Sequence, residues 1–312
     1  MHGMDDEPEP LRVGWIGLGA IGEPMARRVL QAGFKLQVWN RDAARSKRFA
    51  EDGAQVAPSP AALARASDVV CLCVTDAPAV EQVVFGPQGL SAGLAPGAVV
   101  IDHSTIHPAA TRALAARVAA IGGHWIDAPV SGGPSGAREG RLSVFAGGDA
   151  AALDRVRPLL QAYAARITHL GPAGAGQTGK VCNQMVSFGT AGVLAEALHL
   201  AHRSGIDAAR LAEAMQGGFA DSAVLRHYAP AMLQGRYAGS TLNAVKDMDI
   251  ALDLGRDSGT ALPLAGLMAA LYRLLVQQGH TQLGMAGVMR LYVDGALADA
   301  PRAGGTAAAD GS

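Results

Sequence analysis

The chain has 312 residues, of which 49% are hydrophobic and 17% charged, so it can fill two folded cores and is not a disordered protein. The formal net charge is −1 and the nine histidines are scattered, so no basic stripe exists and we expect no nucleic-acid partner. Every apolar run is shorter than the roughly 18 residues that span a bilayer, and the acidic start MHGMDDEPEP does not resemble a signal peptide; we expect no membrane insertion and a cytoplasmic location.

Short β-like runs alternate with helical patterns from residue 12 to about residue 170. The runs are RVGWIGLG, KLQVWN, DVVCLCV, AVVIDHS, HWIDAPV and LSVFAGG. This alternation predicts a doubly wound, mostly parallel α/β sheet with helices on both faces, which is a Rossmann domain over residues 12–173.

The alternation of strand and helix patterns stops after the small-residue segment GPAGAGQTG. Helical patterns then run over residues 180–204 and 208–293, with breaks at Gly and Pro, and they predict an all-helical domain over residues 174–298. We expect the ends of the chain, residues 1–11 and 299–312, to be disordered tails.

A glycine-rich turn follows the first apolar strand and opens a helix. Its residues are Gly17, Leu18, Gly19, Ala20, Ile21 and Gly22. In a GxGxxG turn of this context, the first glycine allows the tight turn, the second lets the backbone approach a pyrophosphate, and the third lets helix and strand pack closely. The turn therefore predicts a dinucleotide site.

The second strand ends in Asn40 and Arg41, where an acidic residue would bind the ribose hydroxyls of NAD. A neutral amide followed by a fork-shaped cation suits a 2′-phosphate, so we expect NADP(H) to be preferred, with NAD(H) possible. Asp42 is the counter-evidence, and we expect it to pair locally or to cap the next helix.

Two later strand ends should line the same crevice, because ligands of such sheets lie beyond the carboxyl ends of the strands. The candidate cofactor contacts there are Val74, Thr75, Ser104 and Thr105. We interpret the neighbouring His103 as structural. The three cysteines and the histidines lack zinc spacing, so we expect no metal.

Lys180 lies at the head of an almost uncharged helical run, with Asn183, Gln184 and Ser187 on the same helical stripe. Reduction of a carbonyl by a nicotinamide hydride requires a proton donor. Partial burial and the helix N-terminus both favour the neutral amine, which would tune a lysine for this task. On this stretch alone, a solvated helix edge remains an alternative.

The segment DAPVSGGPSGA contains Ser131, Gly132 and Gly133 in a turn whose backbone N–H groups can converge on a substrate carboxylate. The bare loop is equally compatible with a plain connection. Later in the chain, GGFADSAVL provides candidates for substrate selectivity, which are Phe219, Asp221, Ser222 and Leu225.

Together, GLGAIGEPMARRVLQAG, DAPVSGGPSGA, GAGQTGKVCNQ and VKDMD resemble the motifs of the β-hydroxyacid dehydrogenase family in order and spacing, over about residues 12–295. The resemblance implies an active site in the cleft between the two domains and a homodimer or homotetramer. It implies Lys180 as the catalytic general acid and base. It also implies Ser131, Gly132, Gly133, Asn183 and Gln184 as substrate-binding residues, although some members have Asn at the position of Gln184, and it implies Lys246 and Asp247 near the nicotinamide.

The resulting expectation is an NAD(P)-dependent oxidoreductase that interconverts a small β-hydroxy acid and its semialdehyde. Phosphogluconate dehydrogenases of similar architecture have a much larger helical domain, which favours an unphosphorylated substrate here. One alternative is a non-catalytic NADP(H)-binding interaction protein of the same fold. The other is a relative of the imine reductases, which usually lack a lysine at the position of Lys180.

Overall fold

Strands and helices alternate through the first part of the chain in the computed structural model, which describes residues 11–297. Within that range nine strands form one sheet, with the bounds β1 Arg12–Ile16, β2 Lys35–Trp39, β3 Gln55–Val56, β4 Val69–Leu72, β5 Val99–Asp102, β6 His124–Asp127, β7 Val130–Ser131, β8 Leu142–Gly148 and β9 Ala164–Gly171. The first six are parallel in the order β3-β2-β1-β4-β5-β6. β8 is antiparallel to β6 and β7 and parallel to β9. The chain order reverses between β1 and β4, which is where such sheets bind ligands.

The helices have the bounds α1 Gly22–Gln31, α2 Ala43–Glu51, α3 Pro60–Arg65, α4 Ala77–Phe85, α5 Pro108–Ala120, α6 Gly133–Arg138, α7 Ala150–Gln161, α8 Ala175–Arg203, α9 Ala208–Ala214, α10 Ala223–Leu233, α11 Thr241–Ser258 and α12 Pro263–Gln277. Short 3₁₀ helices lie at Leu90–Ala92 and Met285–Leu291. Many helices begin where a Ser or Asp side chain accepts a backbone N–H, as Asp76 does for α4 and Ser240 for α11. These caps satisfy donors that the helix itself leaves open.

Alternating residues of the central strands pack into two separate apolar layers. Trp15 and Cys71 lie in one layer, and Ile16 and Leu72 in the other, all fully buried. Strands buried on both faces read as continuous apolar runs, which is why these were recognisable in the sequence. The helices after α8 build their own core, in which the rings of Phe188 and Tyr272 meet edge to face with centroids 5.1 Å apart.

The predicted fold class, a Rossmann-type sheet followed by an all-helical part, is confirmed. The chain divides into two units, the first ending at Lys180 and the second beginning at Val181. The sequence analysis placed this junction near residue 173. The first turns of α8 belong to the first unit because hydrogen bonds tie them to its strand ends.

The predicted tails lie outside the described residues, apart from Leu11. Across residues 11–297, no helix combines the length and apolar character that crossing a membrane requires.

Candidate active site

The turn between β1 and α1 has the geometry expected of a dinucleotide fingerprint. Gly17 has φ +98°, and a Cβ there would lie 2.1 Å from the carbonyl oxygen of Cys73. A Cβ on Gly22 would lie 2.1 Å from the carbonyl oxygen of Gly17, whereas a Cβ on Gly19 would meet no atom within 4 Å. α1 starts without a side-chain cap, which leaves its first N–H groups to an anion. These residues fit a dinucleotide pyrophosphate.

The end of β2 braces this turn. Asn40 Oδ1 accepts a hydrogen bond from Leu18 N at 3.0 Å, and Asn40 Nδ2 donates to the carbonyl oxygen of Asp42 at 3.1 Å. Arg45 Nη1 donates to the carbonyl oxygen of Leu18 at 2.8 Å. Leu18 is therefore held through its backbone, while its side chain lies in the core. Of the other two non-glycine residues of the turn, Ala20 is exposed and Ile21 is half-buried.

Asp42 does cap the following helix. Its Oδ1 accepts from Ala44 N at 3.1 Å, and its Oδ2 lies 3.5 Å from Arg45 Nε. Arg41 is exposed. Sequence reasoning missed Arg45, which lies in the first turn of α2 and contacts both Asp42 and the backbone of the glycine turn.

The ends of β4 and β5 are joined by a side chain. Ser104 Oγ accepts from Val74 N at 3.0 Å, and Ser104 N donates to Asp102 Oδ1 at 2.9 Å. The Ser104 side chain is buried, whereas Thr105 is half-buried and Thr75 is exposed. The four predicted cofactor contacts thus lie at adjacent strand ends, with Ser104 linking the two strands.

His103 is held as a buried neutral ring. Its Nδ1 lies 2.6 Å from the carbonyl oxygen of Ala128 and its Nε2 3.0 Å from the hydroxyl of Tyr163, and its ring stacks on Trp15 with centroids 5.8 Å apart. Because the carbonyl can only accept, Nδ1 donates and Nε2 accepts. Burial lowers the pKa of His103 to about 4, although the backbone hydrogen bond opposes this. These contacts fit the structural role expected of it.

The predicted carboxylate loop follows β6. Gly132 has φ +127° and Gly133 has φ +65°, conformations that side-chain-bearing residues rarely adopt. A Cβ on Gly133 would meet no atom within 4 Å, and Ser131 beside it is half-buried. Because neither glycine has a side chain, no Cβ shields the backbone N–H groups at these two positions.

Lys180 lies in the second turn of α8 and is only 8% exposed. The start of this helix is held by Asp127, whose Oδ1 accepts from Gly174 N at 2.8 Å and whose Oδ2 accepts from Gln177 N at 2.9 Å. Burial raises the pKa of Asp127, and these N–H donors oppose the rise. Sequence reasoning gave Asp127 no role, because its partners are about fifty residues away and no local pattern signals them.

The other predicted residues of α8 form a polar network with α11 in the second unit. Asn183 Nδ2 donates to Gln184 Oε1 at 3.1 Å, and Gln184 Nε2 donates to Asp247 Oδ2 at 2.6 Å. Lys246 Nζ lies 3.3 Å from Asp247 Oδ1, and Asp247 is 6% exposed. The structure therefore brings together Asn183, Gln184, Lys246 and Asp247, which the sequence placed in two separate motifs.

The candidates in GGFADSAVL have different environments. Leu225 is core and Ser222 caps α10. Asp221 fixes the loop by accepting from Gly217 N at 3.1 Å and pairing with Arg226. Only Phe219 is displayed to solvent.

Among the described residues, no cluster of three or more His, Cys, Asp or Glu side chains could hold a metal ion.

Two family models match the chain, the NAD binding domain of 6-phosphogluconate dehydrogenase over residues 12–171 and the NAD-binding domain of NADP-dependent 3-hydroxyisobutyrate dehydrogenase over residues 174–292. The chain is 34% identical over 282 residues to 2-hydroxy-3-oxopropionate reductase of Escherichia coli, covering 90% of this chain and 96% of the relative. It is 35% identical over 294 residues to NAD-dependent L-serine dehydrogenase of Pseudomonas aeruginosa, covering 90% and 97%.

Among solved structures, 3-hydroxyisobutyrate dehydrogenase from Salmonella typhimurium matches with a TM-score of 0.82 at 28% identity, over 90% of this chain and 100% of that one. The likeness thus extends through both units and agrees with the glycine turn that fits a dinucleotide. The protein is a pyridine-nucleotide-binding oxidoreductase that belongs to the β-hydroxyacid dehydrogenase family.

Proposed function

We propose that the protein interconverts a small β-hydroxy acid and its semialdehyde, with NADP(H) preferred and with Lys180 as the general acid and base. The burial of Lys180, which is 8% exposed, is the observation that carries the proposal. Lysines are almost never fully buried without a compensating role, and this one stands in the lysine motif of the family.

The bound nicotinamide supplies or accepts the hydride. In reduction, Lys180 donates a proton to the developing alkoxide, and in oxidation it removes the proton of the hydroxyl group. The substrate carboxylate is bound by the backbone of Gly132 and Gly133 and by the hydroxyl of Ser131. Asn183 binds the reacting oxygen of the substrate or a neighbouring substrate oxygen.

The network around Gln184 supports this role for Asn183. Because Asn183 Nδ2 faces Gln184 Oε1 at 3.1 Å, the amide orientation leaves Asn183 Oδ1 as an acceptor for a substrate hydroxyl. Gln184 is itself fixed by Asp247 at 2.6 Å, so the pair of amides does not have to be ordered when substrate binds. By family resemblance, Lys246 and Asp247 serve the nicotinamide end of the cofactor.

The end of β2 supports the preference for NADP(H). Arg41 is exposed, and the one acidic side chain that follows it directly, Asp42, caps α2 and lies 3.5 Å from Arg45 Nε. The positive charge of Arg45 beside this carboxylate partly offsets its repulsion of a 2′-phosphate. Asn40, Arg41 and Arg45 therefore favour a phosphate over a bare ribose.

The substrate class follows from the relatives as a proposal. 2-Hydroxy-3-oxopropionate and L-serine are both three-carbon carboxylates with an oxygen on the β carbon. A loop for the carboxylate and a lysine for the β oxygen suit that pattern. We propose an unphosphorylated acid of this size.

We also propose a homodimer or homotetramer assembled through the helical unit. α8 exposes Val186, Val193 and Leu200 by 70%, 64% and 67%, and their seven-residue spacing places them along one helix face. α12 adds Leu264, which is 75% exposed. Contiguous apolar stripes of this kind are uncommon on monomers and mark protein interfaces. The cytoplasmic location stays a prediction from the sequence.

The test is a screen of both reduced cofactors with tartronate semialdehyde, methylmalonate semialdehyde, succinic semialdehyde and glyoxylate, and of both oxidised cofactors with L-serine and 3-hydroxyisobutyrate. With the best pair, we expect Lys180→Ala and the better-filling Lys180→Met to abolish turnover while NADPH binding persists.

Lys35→Ala is the matched control, because Lys35 is an exposed lysine of the same unit, and it should keep wild-type rates. Near-wild-type rates in Lys180→Met would contradict the mechanism. Tight NADPH binding without turnover of any substrate by the wild type would favour a non-catalytic protein.

A further inference from the structure

Gln177, in the first turn of α8, uses both ends of its side-chain amide within the protein. It is fully buried. Its Nε2 donates to the carbonyl oxygen of Ser104 at 2.7 Å, and its Oε1 accepts from Ile106 N at 3.2 Å. One side chain therefore joins the start of α8 to the loop that follows β5.

The start of α8 is also fixed against the sheet. Asp127 accepts the N–H groups of Gly174 and Gln177 at 2.8 and 2.9 Å. A Cβ on Gly176 would lie 2.4 Å from the carbonyl oxygen of Phe145, so the helix backbone already contacts β8. The first turn therefore cannot slide along the sheet without breaking several buried contacts, and the Gln177 side chain extends from a rigid base.

We propose that Gln177 is a positioning residue that keeps Lys180 at a fixed distance and orientation from the loop that follows β5, which contains Thr105. The proposal rests on the proposed function, in which Lys180 transfers the proton, and on Thr105 as a candidate cofactor contact. Thr105 stands between Ser104 and Ile106, the two residues that Gln177 bonds. Lys180 follows Gln177 by three residues and therefore lies on the same side of α8.

Only a side chain that is both donor and acceptor, and of this length, makes the two bonds to the loop. A glutamate keeps the acceptor for Ile106 N but loses the donor to Ser104, and a methionine of similar shape loses both. Displacements of about 1 Å at a reacting group can cost roughly a hundredfold in rate. Loss of this amide should therefore affect the chemical step more than the binding of either reactant.

The matched control is Thr178→Val. Thr178 lies in the same turn and its hydroxyl donates to the carbonyl oxygen of Gly174 at 3.0 Å, so this variant removes a hydrogen bond from the start of α8 without touching the loop. Gln177→Met and Thr178→Val are compared as full-length proteins, and Gln177→Asn, which keeps both polar groups on a side chain one methylene shorter, serves as a milder variant in case Gln177→Met does not fold.

The first measurement is amide hydrogen exchange without cofactor or substrate. In Gln177→Met we expect at least tenfold faster exchange in both segments 103–107 and 178–182. We expect a smaller effect in Gln177→Asn and wild-type exchange of segment 103–107 in Thr178→Val. Unchanged exchange of that segment in the Gln177 variants, or an equal increase in Thr178→Val, would overturn the proposal.

The second measurement is single-turnover hydride transfer with the best semialdehyde, alongside titration of NADPH. We expect about a 10- to 100-fold slower transfer in Gln177→Met with less than a threefold change in the NADPH Kd and in the KM of the semialdehyde, and about wild-type values for Thr178→Val. A rate within twofold of the control, or a parallel loss of NADPH binding, would overturn it. A wild type inactive with every substrate would instead refute the proposed function, and the exchange experiment would still decide the role of Gln177.

Discussion

Replacement of Gly19 by alanine should weaken cofactor binding without weakening the fold. The φ of Gly19 is not positive, and a Cβ there would meet no atom within 4 Å. A glycine-to-alanine change at a compatible backbone position stabilises a protein by about 0.4–1 kcal/mol. The added methyl group nevertheless occupies surface that the pyrophosphate must approach. Overpacking of this kind costs about 1–3 kcal/mol, which corresponds to a roughly 5- to 150-fold rise in the NADPH Kd.

Gly17→Ala provides the opposite case within the same turn. Gly17 has φ +98°, and its Cβ would lie 2.1 Å from the carbonyl oxygen of Cys73. The left-handed backbone costs about 1–2 kcal/mol and the contact about 1–3 kcal/mol more. The two costs add to about 2–5 kcal/mol, so at about 2–4 °C per kcal/mol for a unit of this size the melting temperature should fall by roughly 4–20 °C.

The assay is thermal unfolding of both variants without cofactor, together with fluorescence titration of NADPH. Gly19→Ala should melt at or slightly above the wild-type temperature and bind NADPH weakly, whereas Gly17→Ala should melt early. Equal melting losses in the two variants would refute the assignment of separate tasks to the two glycines. Wild-type NADPH affinity in Gly19→Ala would refute the location of the pyrophosphate.

Three further expectations concern cofactor choice, pH and assembly. Arg41→Ala should raise the KM for NADPH at least tenfold, since a charge-assisted hydrogen bond contributes about 1.5–3 kcal/mol, and should raise the KM for NADH less than twofold. Arg45→Ala also loses its bond to the Leu18 carbonyl oxygen, so it should raise the KM for both cofactors. Equal effects of Arg41→Ala on NADPH and NADH would contradict the phosphate role of Arg41. The pKa of His103 is lowered to about 4 by burial, so its contribution to stability is complete above the unfolded value of about 6.5 and is lost as pH falls towards 4. From pH 7 to pH 5 the free energy of unfolding should fall by about 2 kcal/mol. Urea unfolding should detect this fall in the wild type and not in His103→Gln. Equal falls in the two proteins would argue against a neutral buried His103 ring. Val193→Glu, on the exposed stripe of α8, should lower the oligomeric state in sedimentation while leaving the helical content unchanged, and an unaltered assembly would place the interface elsewhere.

The sequence predicted the central strands because burial on both faces imposes continuous apolar runs, as in the fully buried β4 and β5. It did not predict β9, Ala164–Gly171, whose residues are mostly exposed. β9 pairs only with β8, and an edge strand in contact with solvent needs no apolar run. The sheet is therefore wider than the pattern indicated, although its parallel order agrees with the predicted fold class.

Local patterns predicted the residues of the candidate site, but they did not predict how those residues are held. Gln177 bonds Ser104 and Ile106 across more than seventy residues of sequence, and no spacing rule connects them. Lys180 and Gln184 were predicted as site residues because motifs are local in sequence. Their surroundings were not, because tertiary contacts decide which polar groups are satisfied.

Asp42 shows why cofactor preference needs the structure as well as the sequence. Read by position, an acidic residue near the end of β2 favours NAD, and an NAD-dependent relative exists at 35% identity. The contacts change that reading, because Asp42 Oδ1 is engaged by Ala44 N at 3.1 Å and its Oδ2 faces Arg45, while Asn40 bonds the backbone of the glycine turn. The carboxylate thus serves the start of α2, and Arg41 beside it is exposed as well. A carboxylate that already accepts a helix N–H and faces an arginine has fewer acceptor sites left for the ribose hydroxyls, so Asp42 weighs less against the proposed preference for NADP(H) than its position alone indicates.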